Sequence, residues 1–363
     1  MHQPQLLALF PGLKSSGGGV AVSGELARQA LAQVYGDEPG RFRLFCYDRA
    51  ARLPKPQGVP NEIFASTRFQ AVMRAAALSF RPDLILCWHI DLLKLLPLLR
   101  SKRARVVLFL HGIEGWHRPS RLRAWLLKRV DLFLSNTHFT WERFLEFHPE
   151  LQSTAHRTIP LGMAAPPAGP SPWPTAAPAA LILSRLEAAE DYKGHRELIA
   201  AWPYVLTEVP GAQLWIAGTG TLQPILKKMV QDRGLEQFIQ HYGWVTERQK
   251  GELLAACRCL VMPSRGEGFG LVYLEAMRLG RPCLVSILDA GREVVNPPEA
   301  GLAVDPDDSQ ALAEALGRLL TPGPEWVCWS RQARSRYEAH FTARHYQERL
   351  AAALWGGQGG GWG

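Results

Sequence analysis

The sequence predicts an α/β protein with two doubly wound domains, each organised around a parallel β-sheet. Short apolar runs alternate with helical patterns along almost the whole chain, which is typical of strands joined by crossover helices. A proline-rich segment divides this alternation into two series. The length of 363 residues is sufficient for two domains with separate hydrophobic cores.

The first series is predicted to form a first domain over residues 1–165. Its first strand is the apolar run 6–10, and a glycine-rich loop at 15–19 precedes a predicted helix at 20–33. Glycines let a backbone approach a bound group closely, so Gly18 and Gly19 are candidate ligand-binding residues, the alternative being a plain turn. Their spacing does not match Gly-x-Gly-x-x-Gly, which argues against a nicotinamide dinucleotide. Further strands are predicted at 43–47, 84–88, 106–110 and 132–135, and helices at 67–79, 91–101 and 119–129.

His111 directly follows the predicted strand at 106–110. In open α/β sheets, ligands bind outside the carboxyl ends of the strands, which makes His111 a candidate for the chemistry. A structural histidine is the alternative.

A linker is predicted over residues 166–178, because the segment Ala164–Pro178 has six prolines in fifteen residues. The second series, residues 179–335, is predicted to form a second domain. Its strands are expected at 179–186, 213–217, 241–245, 259–262, 282–286 and 300–304, and its helices at 195–207, from about 269, and at 309–320.

The most distinctive segment is Pro263–Met277, in which Glu267 and Glu275 are eight residues apart. A buried strand leads into a glycine-rich loop and then into a helix. The start of such a helix is suited to binding an anion, because free backbone N–H groups and the positive end of the helix dipole point at the ligand. The predicted anion-binding residues are Gly268, Phe269, Gly270 and Leu271.

The Glu-x7-Glu spacing, with Gly-Phe-Gly just after the first Glu, resembles the donor-site motif of retaining glycosyltransferases of the GT4 family. These enzymes have the GT-B fold, in which two Rossmann-like domains face a central cleft. The resemblance covers nearly the whole chain, and its specific motifs lie within residues 181–304. The segment Asp289–Glu293 departs from the Gly-Gly-x-x-Glu of many relatives, which leaves its role open.

The resemblance implies a role for each matching residue. Arg185 and Lys193, with Gly194 beside them, match positions that clamp the donor diphosphate. Glu275 would bind the ribose, Glu267 would bind the transferred sugar, and His111 would complete the sugar pocket. Gly218 matches the Gly-x-Gly turn, and Val245 matches the residue beside the nucleobase. Gly18 and Gly19 match the first loop, which in the family approaches the donor phosphates or the acceptor.

We therefore expect a hexosyltransferase that moves a hexose from a nucleotide diphosphate sugar, UDP- or GDP-linked, to an acceptor hydroxyl with retention of configuration. The acceptor would be a glycan, a glycolipid or a lipid-linked saccharide in cell-surface polysaccharide or glycoconjugate synthesis. Neither a metal nor a cofactor is expected. A nucleotide-sugar epimerase and a non-catalytic nucleotide- or glycan-binding module remain as alternatives.

The resemblance also implies a C-terminal helix, residues 336–355, that crosses back to the first domain. Its interleaved aromatic and basic residues could otherwise bind single-stranded nucleic acid, but the returning helix explains them more simply. The glycine-rich tail 356–363 is predicted to be disordered.

The formal net charge of +8 is concentrated in the first half of the chain. Residues 1–170 contain 22 Lys and Arg against 12 Asp and Glu, and the helical pattern at 118–130 is both basic and amphipathic. Such a helix is suited to peripheral contact with an anionic membrane, although an ordinary packed helix shows the same pattern. The six cysteines lack metal-site spacing, and neither a signal peptide nor a membrane span is recognised, so a cytoplasmic location is expected.

Overall fold

The computed structural model describes residues 4–13, 18–35, 40–48, 62–99, 103–169, 171–175 and 177–356. The chain divides into two compact units, one comprising residues 1–163 and 343–363 and the other residues 164–342. The division falls close to the predicted domain limit at 165, and the predicted linker, 166–178, is part of the second unit. Each unit has its own parallel sheet.

In the described part of the first unit, seven parallel strands form one sheet in the order β3-β2-β1-β4-β5-β6-β7. Its central strands are apolar on both faces, as expected where helices cover both sides of a sheet. The strands are β1 (Leu6–Pro11), β2 (Phe42–Tyr47), β3 (Glu62–Ala65), β4 (Leu84–Cys87), β5 (Arg105–Leu110), β6 (Leu132–Ser135) and β7 (Ala155–Thr158).

The helices of this unit follow the strands in the alternating pattern that the sequence predicts. Thr67, Ser120 and Thr137 cap three of the α-helices, each accepting a hydrogen bond from a backbone N–H of the first turn. The helices are α1 (Gly19–Tyr35), α2 (Arg68–Ala76), the 3-10 helix Ile90–Leu98, the 3-10 turn Ile113–Gly115, α3 (Arg121–Leu127), α4 (His138–Phe147) and the 3-10 turn Pro149–Leu151.

In the second unit, six parallel strands among the described residues form a sheet in the order β10-β9-β8-β11-β12-β13. The strands are β8 (Ala179–Leu183), β9 (Gln213–Ala217), β10 (Ile239–Gly243), β11 (Cys259–Met262), β12 (Cys283–Ser286) and β13 (Gly301–Val304). The helices are the 3-10 segment Ala188–Lys193, α5 (His195–Glu208), α6 (Gln223–Gln231), α7 (Glu247–Ala256), α8 (Leu271–Met277), α9 (Gly291–Val295), α10 (Ser309–Leu320) and α11 (Pro324–His340).

The last helical region consists of two helices that belong to different units. Helix α11 ends at His340 and packs against α8 of the second unit, whereas α12 (Ala343–Trp355) packs against α1 of the first unit. Phe341, between them, has φ −123° and ψ 15°, which is outside the helical range and interrupts the predicted single helix 336–355. At the end of α12, Trp355 Nε1 donates to Tyr35 Oη at 3.0 Å.

The segment predicted to be a linker is fixed to the second unit by arginine side chains. Arg281 is fully buried and donates to the carbonyl oxygens of Pro172 and Leu254, and Arg334 donates to the Pro167 carbonyl. Residues 357–363, which make up most of the tail predicted to be disordered, lie outside the described residues. Within the described ranges, no helix combines the length and the apolar character needed to cross a membrane.

Candidate functional site

The loop between β11 and α8 ends in a glycine whose backbone conformation excludes other residues. Gly270 has φ +81°, and a Cβ there would lie 2.3 Å from the Tyr273 ring. Helix α8 begins at Leu271, and no side chain in the described part of the chain caps its first turn. First-turn N–H groups without a side-chain cap are suited to binding an anion. Phe269 differs from its neighbours, because its ring is buried 6.1 Å from the Phe341 ring and only its backbone is left for a ligand.

Asp289 holds the part of this loop that contains Glu267. Its carboxylate accepts hydrogen bonds from the backbone N–H of Glu267 at 3.2 Å and of Gly291 at 2.9 Å. Burial raises the pKa of Asp289 to about 7, and the nearby Glu267 carboxylate acts in the same direction. The segment Asp289–Glu293, whose role the sequence left open, therefore supports the conformation of the Glu267 loop.

The two cations predicted to clamp a diphosphate share one carboxylate. Arg185 Nη2 forms an ion pair with Glu190 Oε1, and Lys193 Nζ lies 3.2 Å from Glu190 Oε2. Lys193 Nζ is also 3.9 Å from Glu267 Oε2, so the structure brings Arg185, Lys193 and Glu267 into one charged cluster. The Arg185 side chain is 64% exposed and the Lys193 side chain 14% exposed, so the arginine can exchange partners more readily.

The loop carrying Lys193 and the loop carrying Glu267 contact each other through their backbones. Arg265 N donates to the Tyr192 carbonyl at 2.9 Å. Gly194, with φ +90°, directly precedes α5, and a Cβ there would lie 2.7 Å from the Pro263 carbonyl oxygen. Gly194 therefore permits the close approach that places the cations beside the start of α8.

Glu275 faces a lysine that the sequence analysis did not identify. Lys250 Nζ, on α7, donates to Glu275 Oε1 at 2.6 Å and also lies 2.8 Å from Glu247 Oε2. Burial raises the pKa of Glu275, and Lys250 opposes this shift by favouring the ionised form. The pair leaves Glu275 Oε2 as the oxygen that could accept a hydrogen bond from a ligand hydroxyl.

Gly218 and Val245 lie at the ends of neighbouring strands, β9 and β10. Gly218 has φ +140°, and a Cβ there would lie 1.8 Å from the Ser184 carbonyl oxygen, so this glycine is required for the contact between β9 and the end of β8. Val245 is partly buried and directly precedes Thr246, the capping residue of α7. The backbone at the end of β10 is thus fixed next to the helix that carries Lys250.

His111, in the first unit, is held on three sides. Its Nε2 contacts the Trp88 carbonyl oxygen at 2.7 Å, its backbone N–H donates to Glu114 at 2.6 Å, and its carbonyl accepts from Asn136 at 2.8 Å. Because a carbonyl only accepts, Nε2 carries the proton and Nδ1 is left as an acceptor. Burial lowers the pKa of His111 to about 4, so the ring is neutral at physiological pH.

Gly18 and Gly19 lie where the first glycine-rich loop enters α1, and residues 14–17 of that loop are outside the described residues. The Gly18 carbonyl accepts from Ala21 N at 2.9 Å and so forms part of the first helical turn. Trp88 Nε1 donates to the Val20 carbonyl at 3.3 Å, which connects this helix start with the strand end next to His111.

Three residues of these sites were absent from the sequence prediction, namely Glu190, Lys250 and Trp88, and Asp289 was named there only within a segment whose role stayed open. Glu190 lies three residues before Lys193 and could have been found as an acidic neighbour of the clamp, as could Glu187 and Asp191. Asp191 instead pairs with Arg196 at 2.8 Å, and Glu187 accepts from Thr221 at 3.0 Å. Lys250 and Asp289 are distant in sequence from the carboxylate or loop they contact, so no local spacing could have revealed them.

Comparisons with known proteins agree with this architecture. Residues 177–322 match the family "Glycosyl transferases group 1". An O-antigen chain mannosyltransferase C of Escherichia coli is 33% identical over 133 residues, which is 36% of either chain. A GDP-mannose-dependent monoacylated alpha-(1-6)-phosphatidylinositol monomannoside mannosyltransferase of Corynebacterium glutamicum is 31% identical over 169 residues, 45% of this chain and 44% of the relative. The chain thus matches less than half the length of both curated relatives.

The structure of sucrose-phosphate synthase from Thermosynechococcus elongatus superposes with a TM-score of 0.76, at 20% identity, over 96% of this chain and 97% of the other. Two α/β units, each with a parallel sheet, and the structural similarity to this synthase define a protein of the GT-B fold class, as expected from the sequence. Within that class, residues 177–322 match the group 1 glycosyl transferases, and the resemblance to the GT4 type is confirmed.

Proposed function

We propose that this chain is a retaining glycosyltransferase that moves a hexose from a nucleotide diphosphate sugar to an acceptor hydroxyl. The observation that carries the proposal is the 3.9 Å approach of Lys193 Nζ to Glu267 Oε2 beside the uncapped start of α8. A cation and free N–H groups suit the diphosphate, and a carboxylate suits sugar hydroxyls. The glycosyl-transfer activities named for both curated relatives support the same reaction.

In this proposal Arg185 and Lys193 release Glu190 and bind the donor diphosphate. Glu275 accepts hydrogen bonds from the ribose through Oε2, and Glu267 binds hydroxyls of the transferred hexose. The first-turn N–H groups of α8 stabilise the diphosphate as it departs, so that charge stabilisation comes from protein groups and a metal is not needed. The leaving phosphate accepts the proton of the acceptor hydroxyl on the same face of the sugar, which retains the anomeric configuration.

We further propose that the first unit binds the acceptor and that Nδ1 of His111 accepts a hydrogen bond from a sugar hydroxyl. A saccharide or lipid-linked acceptor is supported by the relatives, whose names specify an O-antigen chain and a phosphatidylinositol mannoside. A UDP- or GDP-sugar is the proposed donor. The proposed location is the cytoplasm, with peripheral contact to an anionic membrane through the basic first unit.

Calorimetric titration of the purified chain with UDP, GDP and ADP, with and without EDTA, tests the donor site. We expect one nucleotide to bind, with the same affinity in EDTA. Glu275→Ala should weaken this binding, whereas the matched variant Glu267→Ala should bind the bare nucleotide nearly as wild type does. Absence of binding by all three nucleotides would contradict the proposal and favour a binding module for other ligands.

The reaction class is tested by incubating the chain with the nucleotide sugar and following the anomeric signals by NMR. A transferase should form product with retained configuration only when an acceptor is present, and Glu267→Ala should abolish it. Conversion of the nucleotide sugar to an epimer without any acceptor would assign the site to an epimerase instead.

A further inference from the structure

Two helices of the first unit expose large apolar side chains to solvent. On α2, Phe69 is 73% exposed and Met73 is 53% exposed, and these residues lie one turn apart on the same face. On α3, Leu122 is 55% exposed and Trp125 is 49% exposed, again at a spacing that places them together. Isolated exposed apolar residues are ordinary, but grouped ones indicate an interaction site.

The two helices lie on the same face of the first sheet. Both pack against the 3-10 helix Ile90–Leu98, and their buried sides join one hydrophobic core, to which α2 contributes Ala71 and Ala75 and α3 contributes Leu126 and Leu127. On α2, the exposed Phe69 and Met73 therefore lie on the outer side of this layer, roughly opposite Ala71 and Ala75. On α3, Leu122 lies one turn before the buried Leu126, so Leu122 and Trp125 lie beside the buried side of the helix, at the edge of the layer. We call this layer, formed by α2, the 3-10 helix Ile90–Leu98 and α3, the α2–α3 surface.

The α2–α3 surface is also strongly basic. Its helices carry Arg68, Arg74, Lys94, Arg121 and Arg123, and the segments on either side of α3 add Arg118, Lys128 and Arg129. The one acidic residue of the three elements is Asp91, which is neutralised by Lys94 at 2.7 Å and Arg123 at 3.0 Å. The Arg129 guanidinium stacks 5.7 Å from the Trp125 ring, so charge and apolar area are presented side by side.

We infer that the α2–α3 surface docks on an anionic phospholipid bilayer, with Phe69, Met73, Leu122 and Trp125 inserted at the level of the headgroups and the surrounding cations bound to lipid phosphates. Amphipathic helices that combine Trp, Phe or Leu with Lys and Arg bind anionic interfaces in this way. The inference rests on the proposed membrane contact and adds α2, which the sequence pattern did not single out, as a second anchor.

A bilayer fits these observations better than a second copy of the chain. A symmetric dimer through this surface would bring like charges together, and the surface offers only Asp91, already engaged by two cations, to balance them. Nucleic acid would match the cations, but it offers no apolar phase for the side chains of Met73 and Leu122.

The test is cosedimentation of the full chain with vesicles of phosphatidylcholine alone and with about 30 mol% phosphatidylglycerol, at about 0.1 M and 1 M salt. We expect binding to the anionic vesicles only, weakened by salt. The variants F69S/M73S and L122S/W125S should each lower the partition coefficient at least about fivefold, and R121Q/K128Q should lower it most at low salt. The matched control Y204S/I225S removes two exposed apolar side chains of the second unit and should bind as wild type does.

Failure of wild type to bind anionic vesicles, or equal binding by F69S/M73S, would overturn the inference. A concentration-dependent dimer that both serine variants dissociate would assign the surface to a second copy, and oligonucleotide binding lost in the same variants would assign it to nucleic acid. Circular dichroism confirms that each variant is folded. Nucleotide titration of the same samples separates the proposal of membrane docking from the proposal of a donor site, because a defective donor site would leave vesicle binding intact.

Discussion

Lys250 donates from Nζ to Oε1 of Glu275 at 2.6 Å and thereby connects helices α7 and α8 next to the candidate donor site. Both side chains are largely shielded from water, at 18% and 15% exposure. The Glu275 charge is therefore compensated mainly by Lys250, and the removal of the lysine leaves the carboxylate poorly solvated. The pair also fixes the orientation of Glu275, so that Oε2 is available to a ligand.

We expect Lys250→Met to lower the free energy of unfolding by about 2 kcal/mol, because it leaves the Glu275 carboxylate without its cation. The pKa of Glu275, already raised by burial, should rise further. Urea unfolding at neutral pH measures the first effect. Arg248→Gln on the same helix is the matched control, since its ion pair with Glu252 is exposed and its loss should change stability little. Equal effects of the two variants would contradict the assignment.

Glu190 competes with the proposed donor for Arg185 and Lys193. We expect Glu190→Gln to tighten the binding of a nucleoside diphosphate about fivefold, because both cations no longer have to release a carboxylate before they bind phosphate. Calorimetric titration measures the change in Kd. Glu236→Gln removes one negative charge from an exposed position of the same unit and should leave Kd unchanged. Weaker binding by Glu190→Gln would show that Glu190 orients the cations instead.

Asp289 should make stability depend on pH in an unusual direction for a carboxylic acid. Its pKa of about 7 in the folded chain lies above the ordinary value of 3.8, so the folded state holds the proton more tightly than the unfolded state does. The resulting stabilisation is fully present below about pH 4 and is lost as the pH rises through about 7.

The variant Asp289→Asn should therefore become more stable relative to wild type between pH 5 and 7, by at most about 1.4 kcal/mol per pH unit. Urea unfolding of both proteins at several pH values gives this difference. Asp232→Asn, at an exposed position paired with Lys228, serves as the control and should show no such trend. A difference between Asp289→Asn and wild type that is constant over this range would exclude a titrating Asp289.

Gly218→Ala should destabilise the second unit by more than about 2 kcal/mol, because the new Cβ would collide with the Ser184 carbonyl oxygen and the residue would have to keep φ at +140°. Thermal unfolding measures the loss. Gly251→Ala is the opposite control: it lies within α7 with open space around it and should stabilise the helix by about 0.5–1 kcal/mol. Similar changes for both glycines would contradict the close contact at Gly218.

Most of the secondary structure could be predicted because the central strands are buried on both faces and appear as continuous apolar runs. Strand β11 and helix α10 have the predicted limits. Strands β3 and β7 were missed because they lie at the edges of the first sheet, where side chains such as Glu62 and His156 are only partly buried and no apolar run is needed. Helix α4 was also missed, since only its Thr140, Trp141 and Phe144 are buried.

The sequence by itself determined the two-unit α/β architecture and the glycine-rich loop that leads from β11 into α8, because both depend on patterns contiguous in the chain. Only the tertiary structure decided that Glu190 joins Arg185 to Lys193, that Lys250 faces Glu275, and that Asp289 holds the Glu267 loop. Only the tertiary structure also decided that α11 belongs to the second unit and α12 to the first. The physical reason is that charge pairing and backbone capping depend on which loops adjoin in space, and sequence spacing does not specify this.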